Sequence, residues 1–406
     1  MASRHGCSVV LAVIVLLSLL APSTWAIREL GPGLKLKAWL GNIAAAPVAP
    51  ICNRPPTVTE DRRINKGNLS VLVYNAEWLF FKGARRSFIP CPGRGCPWKD
   101  LSAAQEHFEH VAAAIRIADA DIVHLSEVES CDALERLVAL LPGMGYRYYL
   151  VQGRDVATGQ NVGLLTRVDP VRVLDRTEER LPFPLPESHC AATKRPAESD
   201  ILRGPEDGGV ADIQPHIADE VDVDATATEY GLSKHYVTRI FVNNMSIWLA
   251  GVHFLAIPSD TDRCPKREVQ AAVLKKYLQK LSTFEKEELI IMGDFNDFDH
   301  DVPDASGPAD EPISQALAIV KSTTQPALLN AASLWADPNV RYSNWFDRNR
   351  NCRDDGGDEH CLIDHALVSK GLASRIVATK PMHIYKEFCG KMDSDHWPIY
   401  VEFDMT

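Results

Sequence analysis

Short apolar runs broken by polar and turn-forming residues dominate the chain from Leu69 onward. Leu69 to Tyr74 has the length of a strand. Further strand candidates follow at Asp121 to Leu125, Tyr146 to Val151, Asn161 to Thr166, His235 to Val242, Ser246 to His253, Leu289 to Met292, Leu362 to Val368 and Trp397 to Phe403. Helical spacing is rarer. Asp100 with Ser102 and Gln105 has the form of a capped start, after which Leu101, Ala104, Phe108, Val111, Ile115 and Ala118 recur at three and four residues along one face. Two more helices are expected at Cys131 to Leu141 and Arg267 to Leu281, the second with Ala271, Leu274, Leu278 and Leu281 as its apolar stripe. Strands outnumber helices, and helices separate only some of them. That suits an α/β (α+β) arrangement of sheets packed face to face with helices outside, rather than a doubly wound parallel sheet. His107 and His110 share one helix at a spacing that suits a metal, but no third ligand is in sight and both are expected to face solvent.

The pattern also divides the chain. Residues 1 to 26 carry Arg4, the apolar run Val9 to Leu20 and small residues before Ala26, the form of a secretory leader too short to span a bilayer. Residues 27 to 66 lack sustained periodicity and are expected to lie over the surface as an extension. The domain proper runs from 67 to 406. Within it, residues 177 to 233 break the rhythm with Pro182, Pro184, Pro186, Pro196 and Pro205 and the acidic run Asp219, Glu220, Asp222, Asp224, an insertion rather than a second domain.

The 43 Lys+Arg against 54 Asp+Glu give a net charge of −11, and 46% of the residues are apolar. This excludes a disordered chain and a basic nucleic-acid-binding tail, yet not a nuclease, because phosphate capture depends on local basic patches. A cleaved leader implies a secreted, extracellular protein without stable membrane insertion. In that compartment most of the cysteines at 52, 91, 96, 131, 190, 264, 352, 361 and 389 should form disulfides. The short loops favour Cys91 with Cys96 and Cys352 with Cys361, and Cys190 is placed to staple the insertion to the body. Asn68 and Asn244 begin glycosylation sequons and should be at the surface.

Candidate chemistry sits where polar residues close or open apolar strands. The segments are Val73-Tyr-Asn75-Ala-Glu-Trp, His124-Leu-Ser-Glu127, Gly251-Val-His253-Phe-Leu-Ala-Ile-Pro, Met292-Gly-Asp294-Phe-Asn296, Leu362-Ile-Asp364-His and Ser394-Asp395-His396-Trp-Pro. Phosphoester hydrolysis needs a cation to neutralise phosphate, a base for water, donors for the developing charge and a proton for the leaving group. A carboxylate such as Glu127, helped by an amide oxygen, suits Mg²⁺ or Mn²⁺ better than zinc. His396 can take a proton from water if Asp364 fixes its tautomer. Asn75 and Asn296 supply amides that do not compete for the proton.

This ordered set resembles the endonuclease/exonuclease/phosphatase superfamily over residues 67 to 406, and three of its segments are especially similar to pancreatic-type deoxyribonuclease. The resemblance implies a DNase-I-like four-layered α/β sandwich, two packed mixed sheets flanked by helices. It implies Glu127 as the principal metal ligand assisted by Asn75, with Asp395 as a second metal or phosphate contact. Asp294 and Asn296 would position water and phosphate, and His396 with Asp364 would work opposite His253. The sequence departs from the family at the partner of His253, where only Gln152 or a displaced Asp155 is offered in place of a glutamate.

The superfamily's substrates include nucleic acids, sphingomyelin and small phosphoesters, so the loops must decide. Arg85 and Arg86 in the first basic and aromatic cluster, and Trp345 and Arg348 in the second, are the candidate substrate contacts, since cations beside aromatics suit a polynucleotide strand. The same aromatics would serve equally as buried loop anchors. Asp347 to Glu359 is a candidate for structural Ca²⁺, although it fails the EF-hand spacing and suits a plain acidic loop better. The first expectation is a nuclease cutting DNA or RNA internally, with a nucleic-acid substrate, no protein partner and a monomeric state. The alternatives are a sphingomyelinase-like or small-phosphoester phosphodiesterase, and, remotely, a silent extracellular binding protein.

Overall fold

The alternation that begins near Leu69 becomes strand β1 (Asn68–Leu79), buried along almost its whole length. The structure is a computed structural model describing residues 52–81, 96–98, 100–155, 158–188, 190, 228–305, 314–347, 349, 351–356, 359–385 and 394–406. These residues lie in one compact unit, Pro50–Thr406. After β1 come helix α1 (Leu101–Ala118), β2 (Ile122–Val128), helix α2 (Cys131–Ala139), β3 (Arg147–Leu150) and β4 (Asn161–Thr166). Short strands β5 (Arg180–Pro182) and β6 (Glu229–Gly231) precede β7 (Lys234–Val242), β8 (Met245–His253), helix α3 (Cys264–Leu281) and β9 (Glu288–Asp294). The chain ends with helix α4 (Ala316–Lys321), β10 (Leu329–Asn330), β11 (Asn344–Trp345), β12 (His360–Cys361), β13 (Asp364–Val368), helix α5 (Lys370–Ala373), β14 (Ile376–Pro381) and β15 (Ile399–Asp404).

Two mixed sheets result. The first has the order β14-β15-β1-β2-β4-β3 and the second β10-β13-β9-β8-β7. Each contains one parallel pair, β1 with β2 and β8 with β9, flanked by antiparallel neighbours. Val71, Val73, Leu164, Leu249, Met292 and Val401 belong to the core between the sheets. Phe108, Val111, Ile115, Leu134 and Leu137 from α1 and α2 cover the outer face of the first sheet, while Val269, Leu274 and Leu278 of α3 and Leu317 of α4 cover the second. This is the expected four-layered sandwich. Burial of each such aliphatic side chain contributes about 1.5–3 kcal/mol. Among the described residues no helix is long and apolar enough to cross a membrane.

Local signals explain the helices. Asp100 accepts from the Ser102 and Ala103 N–H groups and caps α1, and Ser130 caps α2 through Ala133 N–H. His107 departs from expectation. Its position on the inward face of α1 leaves it 2% exposed. Strand β14 and helix α4 have no clear signal in the sequence, the first because an edge strand half open to solvent shows little alternation.

The described part of the extension, residues 52–66, is tied down. Cys52 is disulfide-bonded to Cys131, and Arg62 donates to Asp169 at 2.6 Å. The flanks of the insertion meet as a ribbon, β5 against β6, and Cys190 is bonded to Cys264 at the start of α3. The rest of the insertion lies outside the described residues, as does Cys91. Cys96 is disulfide-bonded. The expected Cys352–Cys361 bond is not formed: Cys352 is in a different disulfide, and Cys361 is a buried thiol. Cys352 occupies an exposed turn, whereas Cys361 faces Phe298 and Ile363 from strand β12.

Candidate active site

The C-terminal ends of β1 and β9 meet where Asn75 Nδ2 donates to Asp294 Oδ2 at 3.0 Å. The same nitrogen lies 3.3 Å from Glu127 Oε1, near the end of β2, and 3.4 Å from His396 Nε2. His253 closes β8 and Asp364 opens β13, and both are register partners of Asp294. Asp364 Oδ2 lies 2.6 Å from His396 Nδ1 and accepts from Ser343 Oγ at 2.8 Å. Parallel pairing of β1 with β2 and of β8 with β9, and antiparallel pairing of β13 with β9, thus bring residues distant in sequence to one edge. Gly293 permits it. With φ of +145°, a Cβ there would lie 2.0 Å from the Val252 carbonyl oxygen, so no other residue lets β9 lie this close to β8.

Three further carboxylates line the site beside Asp294. Glu127 Oε2 accepts from Trp78 N–H at 3.0 Å and Gln160 Nε2 at 2.7 Å. Glu77 Oε2 accepts from Asp395 N–H at 3.1 Å. Glu77, Gln160 and Ser343 join the site without being among the residues that the sequence motifs point to. Glu77 stands two residues beyond Asn75, but its φ of +41° interrupts strand alternation, so spacing alone does not place it.

Burial and then the neighbouring carboxylates raise the pKa of Glu77 well above the ordinary range, with Asp395 and Glu127 responsible in that order. Burial and Asp395 raise Glu127 as well. Asp395 is also raised, by burial and by Asp364 against the opposing pull of His396, although its side chain is 41% exposed and solvent screens much of the effect. Asp294 is pushed up to about 7 by burial and then by Asp364. Burial opposes the His396 cation, but Asp364 and Asp395 outweigh it and hold its pKa well above the ordinary value. His253 goes the other way, well below, through burial and then Lys234 and His396. The two histidines of the site are thus shifted in opposite directions.

The donor set fits a hard divalent cation. Glu77, Glu127 and Asp395 offer only oxygen, and their mutual repulsion is what such an ion relieves. Asn75 would join with its amide turned over, because Oδ1 now accepts from Glu77 N–H at 3.1 Å. Within the site it is Asp294, Asp364 and His396 whose ligating atoms lie within 4.8 Å of one another; Glu77, Glu127 and Asp395 do not form such a trio. There the His396 Nδ1 bond to Asp364 already occupies the ring nitrogen, which suits proton handling.

The other expected residues divide. Asn296 caps the turn after β9, its N–H donating to Asp294 Oδ1 at 2.8 Å and its side chain to the Phe254 carbonyl at 3.3 Å. Neither Gln152 nor Asp155 serves His253. Gln152 donates to Asn161, Asp155 faces Lys234 at 3.6 Å, and His253 Nδ1 has no hydrogen-bond partner among the described residues. His253 Nε2 lies 3.6 Å from Asp294 Oδ2. Trp345 is placed as a buried anchor, 4% exposed with its indole N–H on Glu359, and not as an open stacking surface; the loop exposes Phe346 instead. Arg85, Arg86 and Arg348 lie outside the described residues. In the acidic loop, Asp355 Oδ2 accepts from the Asn349 and Asn351 amides. Asn244 is exposed in the β7–β8 turn, whereas half-buried Asn68 donates to Glu402 at 2.5 Å.

No protein-family profile matches the chain. No curated protein sequence matches it either. Solved structures do resemble it. A humanized D. rerio TDP2 has 15% identity over 84% of this chain and 100% of that one, with a TM-score of 0.46. Bacteroides thetaiotaomicron mannosyl-6-phosphatase has 16% identity over 82% and 98%, TM-score 0.45. An endonuclease/exonuclease/phosphatase family protein from the same bacterium has 16% identity over 83% and 96%, TM-score 0.45. At such values the likeness carries no argument of its own. The sheet order and layers do: the chain has the four-layered sandwich that its motif resemblance to the endonuclease/exonuclease/phosphatase superfamily implies.

Proposed function

We propose that the chain is an exported, divalent-metal-dependent phosphodiesterase that hydrolyses nucleic acid internally, acting as a monomer. The observation that carries the chemistry is the 2.6 Å contact of His396 with Asp364 beside the carboxylates of Glu127, Glu77, Asp395 and Asp294. Glu127, Asn75, Glu77 and Asp395 are the residues to hold Mg²⁺ or Mn²⁺. Such an ion supplies charge neutralisation at the phosphate and lowers the pKa of water.

The residues of the chain do the rest. Asp364 accepts a hydrogen bond from Nδ1–H of His396 and leaves Nε2 facing Asn75 and Asp294, where it can take a proton from an attacking water. Asp294, near neutrality in pKa, orients that water and shares its proton. Asn75 and Asn296 offer amide donors at the same edge. As the water oxygen bonds to phosphorus, the ester bond to the leaving oxygen breaks and that oxygen takes up a proton. His253 is the weaker partner in this exchange, because no carboxylate supports its Nδ1.

The leader and the Cys52–Cys131 and Cys190–Cys264 disulfides support export. Arginines beside aromatics support a polynucleotide substrate. The burial of Trp345 removes one of those aromatics from the argument and favours, as a second reading, a small phosphoester or sphingomyelin. Purified mature protein should be assayed with Mg²⁺, Mn²⁺ and chelator for acid-soluble nucleotides from plasmid DNA and total RNA, and for phosphate or phosphocholine from small esters and sphingomyelin. Metal-dependent nicking of circular plasmid is expected. Inert nucleic acid with active ester or lipid selects the second reading, and silence on all substrates contradicts both.

A further inference from the structure

We propose that His107, which lies outside the site, is a positioning residue for its metal-facing groups and acts through the turn that follows Asn75. The inference rests on the metal-dependent reading above. Glu77 and Trp78 hold φ of +41° and +51°, left-handed backbone that neither side chain favours. This turn fixes three contacts at once. Glu77 N–H donates to Asn75 Oδ1 at 3.1 Å, Trp78 N–H to Glu127 Oε2 at 3.0 Å, and the Glu77 carboxylate accepts from Asp395 N–H at 3.1 Å. A small displacement of the turn would move Asn75, Glu127, Glu77 and Asp395 relative to one another.

Two side chains hold the turn from behind, by its carbonyls. His107 Nε2 lies 2.6 Å from the Ala76 carbonyl oxygen, and Trp98 Nε1 donates to the Trp78 carbonyl oxygen at 2.8 Å. A carbonyl only accepts, so His107 carries its hydrogen on Nε2. The rings of Trp98 and His107 stack with centroids 4.0 Å apart at 24° and brace each other. The other buried residues of α1 are Ala104, Phe108, Val111, Ala112, Ala114 and Ile115, so His107 is the polar exception on an apolar face. Packing alone would be served by an aliphatic residue. What the imidazole adds is a donor aimed at the carbonyl of the peptide that joins Ala76 to Glu77. Outer partners that orient ligands commonly govern metal affinity while touching no metal.

The test is Mn²⁺ binding to the purified chain, followed by electron paramagnetic resonance without substrate, for wild type, His107→Leu, His107→Gln, Trp98→Phe and Val111→Ala. His107→Leu keeps bulk and loses the donor, and should weaken Mn²⁺ binding about tenfold. His107→Gln restores a donor and should recover part of that loss. Trp98→Phe keeps the stack without its N–H and should weaken binding severalfold; it decides the matter if His107→Leu fails to fold. Val111→Ala removes packing from the same helix face and should lower thermal stability while binding Mn²⁺ like the wild type. Wild-type affinity in folded His107→Leu or Trp98→Phe, or an equal loss in Val111→Ala, overturns the proposal. A wild type that binds no Mn²⁺ would instead sink the metal-dependent reading itself.

Discussion

His396 Nδ1 lies 2.6 Å from Asp364 Oδ2, an oxygen that Ser343 Oγ also engages at 2.8 Å. Asp364 is buried, so its charge reaches the imidazole with little screening. The carboxylate does two things: it selects the tautomer and it stabilises the charged ring. Asp364→Asn should therefore lower turnover by about 100-fold or more. The sign of the pH effect follows. Removing the carboxylate lowers the pKa of His396, so the rising limb of rate against pH should move to lower pH. An unmoved limb in a folded variant would show that His396 is not the titrating base. The same pair stabilises the fold below the ordinary histidine value of 6.5 and loses that contribution as pH rises through the raised folded value.

Glu77 is held among like charges, and its repulsion with Asp395 and Glu127 costs stability when no cation is bound. Glu77→Gln keeps an oxygen for the Asp395 N–H and removes the charge. In chelator the variant should melt about 1–4 °C above the wild type. Added Mg²⁺ should raise the wild-type midpoint more than that of the variant, since an ion that binds the folded state stabilises it in proportion to affinity. Differential scanning calorimetry in both conditions checks this, and equal metal-induced gains would remove Glu77 from the shell.

Glu287 offers a prediction remote from the chemistry. It accepts from Ser246 Oγ at 2.8 Å, Trp248 Nε1 at 2.9 Å and Arg239 at 3.0 Å. Burial pushes its pKa up, but the hydrogen bonds of Trp248, Ser282, Ser246 and Arg239 prevail and bring it down to about 2. A depressed carboxylate stabilises the fold above its unfolded value near 4.5, and that contribution fades as pH falls through about 2. Glu287→Gln should cost on the order of 1 kcal/mol at neutral pH. Urea midpoints measured down the acid limb should converge with the wild type, and a constant gap would contradict the assignment.

Much of the architecture was legible from apolar runs. Asn161 to Thr166 coincides with β4, and Asp100 caps α1 as its sequence context requires. The strand-end residues Asn75, Glu127, His253, Asp294, Asp364 and His396 were legible as a set and meet at one edge. Contacts created by irregular backbone were not legible. Glu77 enters through a left-handed turn, and Gln160 reaches Glu127 from the loop before β4. Trp345 and His107 show a different limit. An aromatic or a histidine among polar neighbours looks exposed until the packing around it is known, and both are buried. The disulfide expected across a short loop failed for a related reason, since nearness in sequence placed Cys352 on a turn and Cys361 inside a strand.

The most direct test of the central claim is the initial rate of plasmid cleavage as Mg²⁺ is titrated from chelator to saturation, in wild type, Glu127→Ala and His396→Ala, with folding checked by circular dichroism. The account predicts a rate that rises from zero with Mg²⁺ in the wild type and stays near zero in both folded variants. Wild-type cleavage that persists in chelator, or a folded His396→Ala that cuts at the wild-type rate, would contradict it.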